Sequence, residues 1–404
     1  MKAVTFHAIG DIRLEDVPEP KIHAPTDAIV RITTSAICGT DLHFVRGTMP
    51  GMRRGTILGH EGVGVVEEIG KDVRNLKVGD RVVVASTIAC GACVYCRAGY
   101  FSQCDRANPN GPNAGTAFFG GPEETGPFDG LQAERVRVPF ANVGLVKLPD
   151  EVSEDDAILL SDIFPTAWFA AKLAEIKRGD TVCVFGCGPV GQLCIASARL
   201  LGAGRVLAVD SVPDRLEMAR AQGAEVIDFN AEDPVKTAQR LTQGVGVDRA
   251  IDAVGVDASC AHHGPAAKES HKQRAERERE IDSIAPHRNP DGDNWNPGDA
   301  PSQVLKWAVE ALAKAGTLSI VGVYPQTATT FPIGKAMNKN LTINMGNCNH
   351  RKYIPELLNI VQSGVFKPSK VLTNRLSLDE AVEAYRSFDR RLPGWTKVEI
   401  RVAA

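Results

Sequence analysis

The stretch Thr181-Val-Cys-Val-Phe-Gly186-Cys187-Gly188-Pro189-Val190-Gly191 decides the fold. A buried-type strand runs into G-x-G-x-x-G, and the sequence that follows, VGQLCIASARLLGA, has a helical pattern. The next strand, RVLAVD, ends in Asp210, nineteen residues after Gly191. Strand, glycine turn, helix and terminal acid together are the context a dinucleotide site requires. Glycines at 186, 188 and 191 let the backbone approach a pyrophosphate, and the helix start offers free N–H groups. Pro189 suits the first helical position, where no N–H is needed. Asp210 would accept hydrogen bonds from ribose hydroxyls and repel a 2′-phosphate, which favours NAD over NADP. Arg215 is placed to lie over the adenine or ribose.

The alternation continues outward. A helix at PDRLEMARAQGA, the strand AEVIDFN, a helix from about Pro234 to Gln243 and the strand VDRAIDAVG follow in turn. This rhythm predicts a parallel sheet with helices on both faces. A polar stretch from about Asp257 to Ser302 interrupts it. The run Lys268–Glu280 alternates in sign and reads as a short solvated helix, with a turn-rich loop after it. The pattern resumes with a helix at VLKWAVEALAKAG and the strand TLSIVGVY. Before Pro165 the texture differs: AVTFHAI, DAIVRITTSAI, GVGVVEEIG, GDRVVVAS and ERVRVPF read as short strands between turns. The last 60 or so residues carry helices at YIPELLNIVQSG and LDEAVEAYRSF.

A chain of 404 residues is too long for one core. Its net charge of −3 gives no field to gather nucleic acid or anionic lipid, and 6% aromatic residues leave little for base stacking. The N-terminus alternates like a strand rather than a signal peptide, and no stretch has the ~20 apolar residues of a bilayer span. Ten cysteines without a secretion signal point to a reducing cytoplasm.

Four of those cysteines, Cys90, Cys93, Cys96 and Cys104, form the run C-x-x-C-x-x-C-x7-C. Short steps of this kind let one turning loop deliver thiolates to a tetrahedral zinc. A zinc closed by four cysteines is a structural clip and does no chemistry. Cys38 in ICGTDLH, His60 in GHEG and Asp162 in LSDIFPT could each be structural when taken alone. Cys183, Cys187 and Cys194 read as core packing. Cys260, His262 and His263 read as incidental loop residues, because no fourth ligand stands at a fixed spacing.

Taken together, these motifs resemble the zinc-containing medium-chain alcohol dehydrogenases over nearly the whole chain apart from 257–302. The resemblance implies an α/β fold: a GroES-like β-rich catalytic domain, 1–170 with 341–404, and a Rossmann domain, 171–340, carrying the insert. It implies a catalytic zinc on Cys38, His60 and Asp162, hence two zinc ions per chain with the clip, and NAD. Aspartate at the third position is similar to the branch of glutathione-independent formaldehyde dehydrogenase and formaldehyde dismutase. By the same resemblance Thr40 takes the substrate proton, His43 passes it outward, Asp41 orients His60, and Glu61 binds zinc transiently during ligand exchange. Lys397 in GWTKVEI is placed to reach the pyrophosphate, and an insert at this position covers the cofactor.

The implied reaction is hydride transfer between NAD and a small alcohol or hydrated aldehyde, formaldehyde among them. Ser86 to Ile88 and Phe164 are expected to line the pocket. One alternative is a formaldehyde dismutase with resident NAD. Another, from a different class, is a zinc-ribbon NAD sensor without catalysis. Metal content separates the classes: two zinc ions per chain fit the enzyme, one fits the sensor. A tetramer, favoured over a dimer, would associate through the Rossmann sheet edge near Gly316–Tyr324.

Overall fold

The computed structural model describes residues 1–111, 114–267 and 273–402. They form two compact units, one of 1–165, 288–295 and 347–404, the other of 166–287 and 296–346. Residues 288–295, in the middle of the expected insert, thus fold with the first unit. The chain resumes the first unit at 347.

The second unit is built on six strands, all parallel, in the spatial order Glu225–Asp228, Arg205–Asp210, Thr181–Phe185, Val247–Asp252, Leu312–Ile320, Thr342–Met345. This 3-2-1-4-5-6 arrangement is that of a dinucleotide-binding sheet. The strands are short and apolar because both faces are covered. Leu207, Ala250 and Leu318 are fully buried, and Phe229 packs on Trp307 of the helix Gln303–Ala311. That helix stops five residues before Gly316, the end expected from sequence. Ala315 takes φ +60°, which no right-handed helix admits, and the chain is already extended from Leu312. The strand Leu312–Ile320 lies inside the sheet, so the free edge on that side is Thr342–Met345 and not Gly316–Tyr324. The charged run is helical over Arg274–Ile284, and its first five residues, 268–272, lie outside the described part.

The first unit holds a seven-stranded sheet centred on Ala28–Ile37, which pairs antiparallel with Gly62–Ile69, Arg135–Val138 and Val398–Arg401. All five strands expected before Pro165 are present. The register aligns Ile37 with Val398 and Ser35 with Gly62. Cys38, Glu61 and Lys397 therefore sit where three neighbouring strands begin or end along the same side of the sheet. The helix Glu154–Ser161 starts with a Ser153 cap and three acids in its first turn, which suit the positive end of its dipole. It breaks at Asp162, whose φ of −141° and ψ of −70° lie outside helical values. Ser161 ties this break to the sheet, donating to Val84 O at 2.6 Å and accepting the Gly62 N–H at 2.9 Å. Among the described residues, no helix is long and apolar enough to cross a membrane.

Candidate active site and metal centres

Cys38, His60, Glu61 and Asp162 bring one donor atom each to within 4.8 Å of one another, and all four are buried. Cys38 Sγ is 3.7 Å and His60 Nε2 3.2 Å from the same oxygen, Asp162 Oδ2. Ligands of tetrahedral zinc with bonds of about 2.0–2.3 Å stand about 3.3–3.8 Å apart. The donor set and its spacing fit that ion. Asp41, in the first turn of the helix Gly39–Arg46, holds two of the three ligands. Its Oδ2 accepts the Cys38 N–H at 2.9 Å, and Oδ1 meets His60 Nδ1 at 3.0 Å. With its proton on Nδ1, His60 would offer Nε2 to a metal. Gly59 makes the approach possible. Its φ is +89°, and a Cβ there would come within 2.6 Å of the Gln132 side chain.

His350, which the sequence reading passed over, completes the arrangement. It opens the helix His350–Gln362, and its Nε2 lies 2.5 Å from Asp162 Oδ1. Thr87 Oγ1 is 3.2 Å from its Nδ1. With the Thr87 hydroxyl donating to Nδ1, Nε2 carries the proton and donates it to Asp162. One carboxylate oxygen is thus fixed by His350 while the other faces Cys38 and His60. Burial disfavours the Asp162 charge, but the hydrogen bonds from His350 and His60 outweigh it and hold the acid well below its usual range. His60 is raised despite burial, chiefly by the charge of Asp41. Burial pushes the Cys38 thiol up.

Lys397 belongs to this cluster. Expected at a pyrophosphate, its ammonium is fully buried, donating to Glu61 Oε1 at 2.5 Å and to Ile37 O at 2.9 Å. Glu61 Oε2 is buried with no hydrogen-bond partner, an orphan acceptor beside the donor set. Such an atom fits the transient ligand role expected of Glu61. Thr40 lies two residues past Cys38 in the Gly39–Arg46 helix. His43, one turn on, is buried with Nδ1 at 2.7 Å from Thr48 Oγ1. Among the expected pocket residues, Ser86, Thr87 and Ile88 are buried, and Phe164 is fully buried against Phe366.

The four clip cysteines also gather within 4.8 Å, with Cys93 and Cys104 sulfurs 3.9 Å apart. Backbone N–H groups point at the sulfurs: Cys90 to Cys104, Ala92 and Cys93 to Cys90, and Cys96 to Cys93, at 3.3–3.5 Å. Such donors stabilise thiolate rather than thiol, the form a metal needs. Burial opposes ionisation of Cys93, but N–H donors bring its thiol down to about 7.

In the second unit the glycine turn is as expected. The helix Pro189–Leu200 starts at an N-cap Gly188 with Pro189 in its first turn, followed by Val190 and Gly191. A Cβ on Gly191 would stand 1.8 Å from Gly186 O. At Gly188 the nearest atom to such a Cβ is Arg215 Nη1, 3.8 Å away, so a cation overhangs an open helix start. Asp210 Oδ2 accepts the Cys187 N–H at 2.7 Å, and Oδ1 those of Ser211 and Val212. The acid therefore locks the turn as well as ending its strand. These residues fit a dinucleotide.

Comparison with known proteins bears on the same residues. The family description "Alcohol dehydrogenase GroES-like domain" matches 24–150, and "Zinc-binding dehydrogenase" matches 189–262. The zinc-type alcohol dehydrogenase-like protein AdhB of Bacillus subtilis, itself uncharacterized, is 37% identical over 99% of this chain and 100% of its own. The chain belongs to the zinc-containing medium-chain alcohol dehydrogenases. Another relative in this family, the glutathione-independent formaldehyde dehydrogenase of Pseudomonas aeruginosa, is 33% identical over 97% of this chain and 96% of its own. The alcohol dehydrogenase TADH from Thermus sp. ATN1 shares the fold at a TM-score of 0.79, with 34% identity and complete coverage of both chains. Both expected parts of the fold, GroES-like and Rossmann, stand, and the protein is an oxidoreductase of the alcohol dehydrogenase class.

Proposed function

We propose that this dehydrogenase uses two zinc ions per chain and NAD to move hydride to or from a small primary alcohol or a hydrated aldehyde, with formaldehyde hydrate in range. The observation that carries this reading is the divided carboxylate of Asp162, one oxygen fixed by His350 and the other turned toward Cys38 and His60. A zinc on Cys38, His60 and Asp162 supplies Lewis acidity that lowers the pKa of a substrate hydroxyl. Asp41 and His350 keep its three ligands aimed. Glu61, held by Lys397, stands by as a fourth ligand during ligand exchange. Thr40 Oγ1 takes the hydroxyl proton, and His43 carries it on toward solvent. Gly186, Gly188, Pro189, Val190 and Gly191 receive the pyrophosphate, with Arg215 above it, and Asp210 favours NAD through its negative charge. The sheet edge Thr342–Met345, with Met345 exposed, is the surface for assembly into a tetramer.

The test is a proton NMR time course on zinc-loaded protein. Primary alcohols with added NAD should give aldehyde and NADH, and formaldehyde with added NAD should give formate. Formate and methanol in equal amounts from formaldehyde without added cofactor would replace this reading with dismutation on resident NAD. No turnover of either class, with both zinc ions bound, would overturn it.

A further inference from the structure

Cys260 and His262 looked incidental in the sequence because nothing nearby completed a ligand set. The fold supplies the missing partner from 37 residues downstream of His262: Asp299, at the other end of the insert. One donor atom from each of Cys260, His262 and Asp299 lies within 4.8 Å of the others. Cys260 Sγ is 3.3 Å from Asp299 Oδ2 and 4.0 Å from His262 Nδ1, and His262 Nε2 is 3.7 Å from Asp299 Oδ2. Edges of a tetrahedral zinc site with mixed S, N and O donors are about 3.3–3.6 Å. The thiol–carboxylate pair already stands at such an edge, and a single His262 nitrogen within 4.8 Å of both would complete the set. The His262 side chain is 60% exposed, so its ring has room to turn one nitrogen toward the pair.

The construction repeats that of the catalytic centre. Asp299 Oδ1 accepts the Cys260 N–H at 2.7 Å, which leaves Oδ2 facing the thiol. At Asp162, too, an N–H donor holds one oxygen while the other faces a cysteine sulfur. The backbone around the trio is already fixed. Ala300 N–H donates to Ala258 O at 3.0 Å, and His262 N–H to Asn230 Oδ1 at 3.0 Å. The thiol is buried while His262 and Asp299 reach solvent, so an ion has a route in.

We propose that Cys260, His262 and Asp299 form a third metal site, selective for zinc, that staples together the two ends of the 257–302 insert. Cysteine, histidine and carboxylate are the donor types zinc takes, and three protein ligands leave a fourth position for water. Ligation makes the trio a cross-link from the end of the strand Val247–Asp252 to the start of the helix Gln303–Ala311.

The experiment uses the full-length protein, already holding its two other zinc ions, equilibrated with buffered micromolar free zinc. Metal per chain is counted for wild type, His262→Ala and Asp299→Asn. His262→Ala removes no side-chain bond except those within the trio. Asp299→Asn keeps an oxygen to accept the Cys260 N–H. We expect wild type to hold one zinc more per chain than either variant. Added zinc should also slow amide hydrogen exchange in 257–267 and 296–302 of wild type and leave the variants unchanged. Equal zinc counts in all three proteins, or protection of these segments that survives His262→Ala, would overturn the proposal. Because all three proteins retain the clip and the Cys38 cluster, a failure here is separable from a failure of the catalytic reading.

Discussion

Replacing His350 with alanine should weaken catalytic zinc binding without touching the clip. The change removes an N–H donor 2.5 Å from the buried Asp162 Oδ1. Hydrogen bonds to charged groups contribute about 1.5–3 kcal/mol, which is about 10- to 150-fold in a binding constant. The loss of a group that orients a metal ligand commonly costs about 10- to 100-fold. The two ranges agree, so we expect a 10- to 100-fold weaker site. The assay is competition with a colorimetric chelator, in which the clip zinc of the same molecule acts as an internal control. His350→Gln, whose amide donates from a similar reach, should recover part of the loss. If His350→Ala holds its catalytic zinc within about twofold of wild type while remaining folded, the divided-carboxylate argument is wrong.

Other consequences are as direct. Lys397→Met strands the Glu61 carboxylate in a fully buried position, so we expect a loss of about 3–5 kcal/mol, seen as a fall in Tm. The double change Lys397→Met/Glu61→Gln should restore most of it. Gly191→Ala places a methyl 1.8 Å from Gly186 O, where only backbone could yield. NADH fluorescence titration should show binding lost, with zinc content unchanged. Asp252 is buried at the end of its strand, and burial raises its pKa even though Tyr324 and two backbone N–H groups donate to it. A raised carboxylate binds its proton more tightly folded than unfolded. Its contribution is therefore favourable below about pH 4 and is lost as pH rises through the folded value. Asp252→Asn should raise Tm relative to wild type more at pH 8 than at pH 4, and a difference independent of pH would refute this. Finally, Cys104→Ser should release the clip zinc and leave NADH binding intact.

How much of this was legible depended on whether the partners are close in sequence. The clip was readable because its four ligands fall within fifteen residues and one turning loop suffices. The nucleotide turn was readable because strand, glycines and helix are contiguous. Cys38, His60 and Asp162 stand out only through the family resemblance of the motifs around them, because the strand ends and the helix break that bring them together leave no trace in spacing. His350 gave no signal: it meets Asp162 across 188 positions. Lys397 is expected at phosphate from its place relative to the last strand, and a lysine's charge announces an anion but not which one. Its actual partner, Glu61, lies 336 residues earlier. Residues 288–295 escaped for a related reason. A polar loop does not reveal that Trp295 will be buried in the first unit, with its backbone N–H donating to Asp389 Oδ2.

The strand Val398–Arg401, paired beside Ala28–Ile37, makes the order of synthesis matter. All four clip cysteines have emerged once Cys104 is made, so that zinc can be captured early. Cys38, Asp41, His60 and Asp162 also precede the second unit, yet the histidine that fixes Asp162 and the lysine that neutralises Glu61 follow it. His350 and Lys397 both fall in the final 58 residues, 347–404. At about 5–20 residues per second, the nascent chain carries an unfinished metal pocket for many seconds while the nucleotide-binding unit is produced. Loss of a short C-terminal piece would then spare the clip and the glycine turn. It would leave Glu61 without its counter-charge, a chain able to hold metal and nucleotide whose reactive centre is never completed.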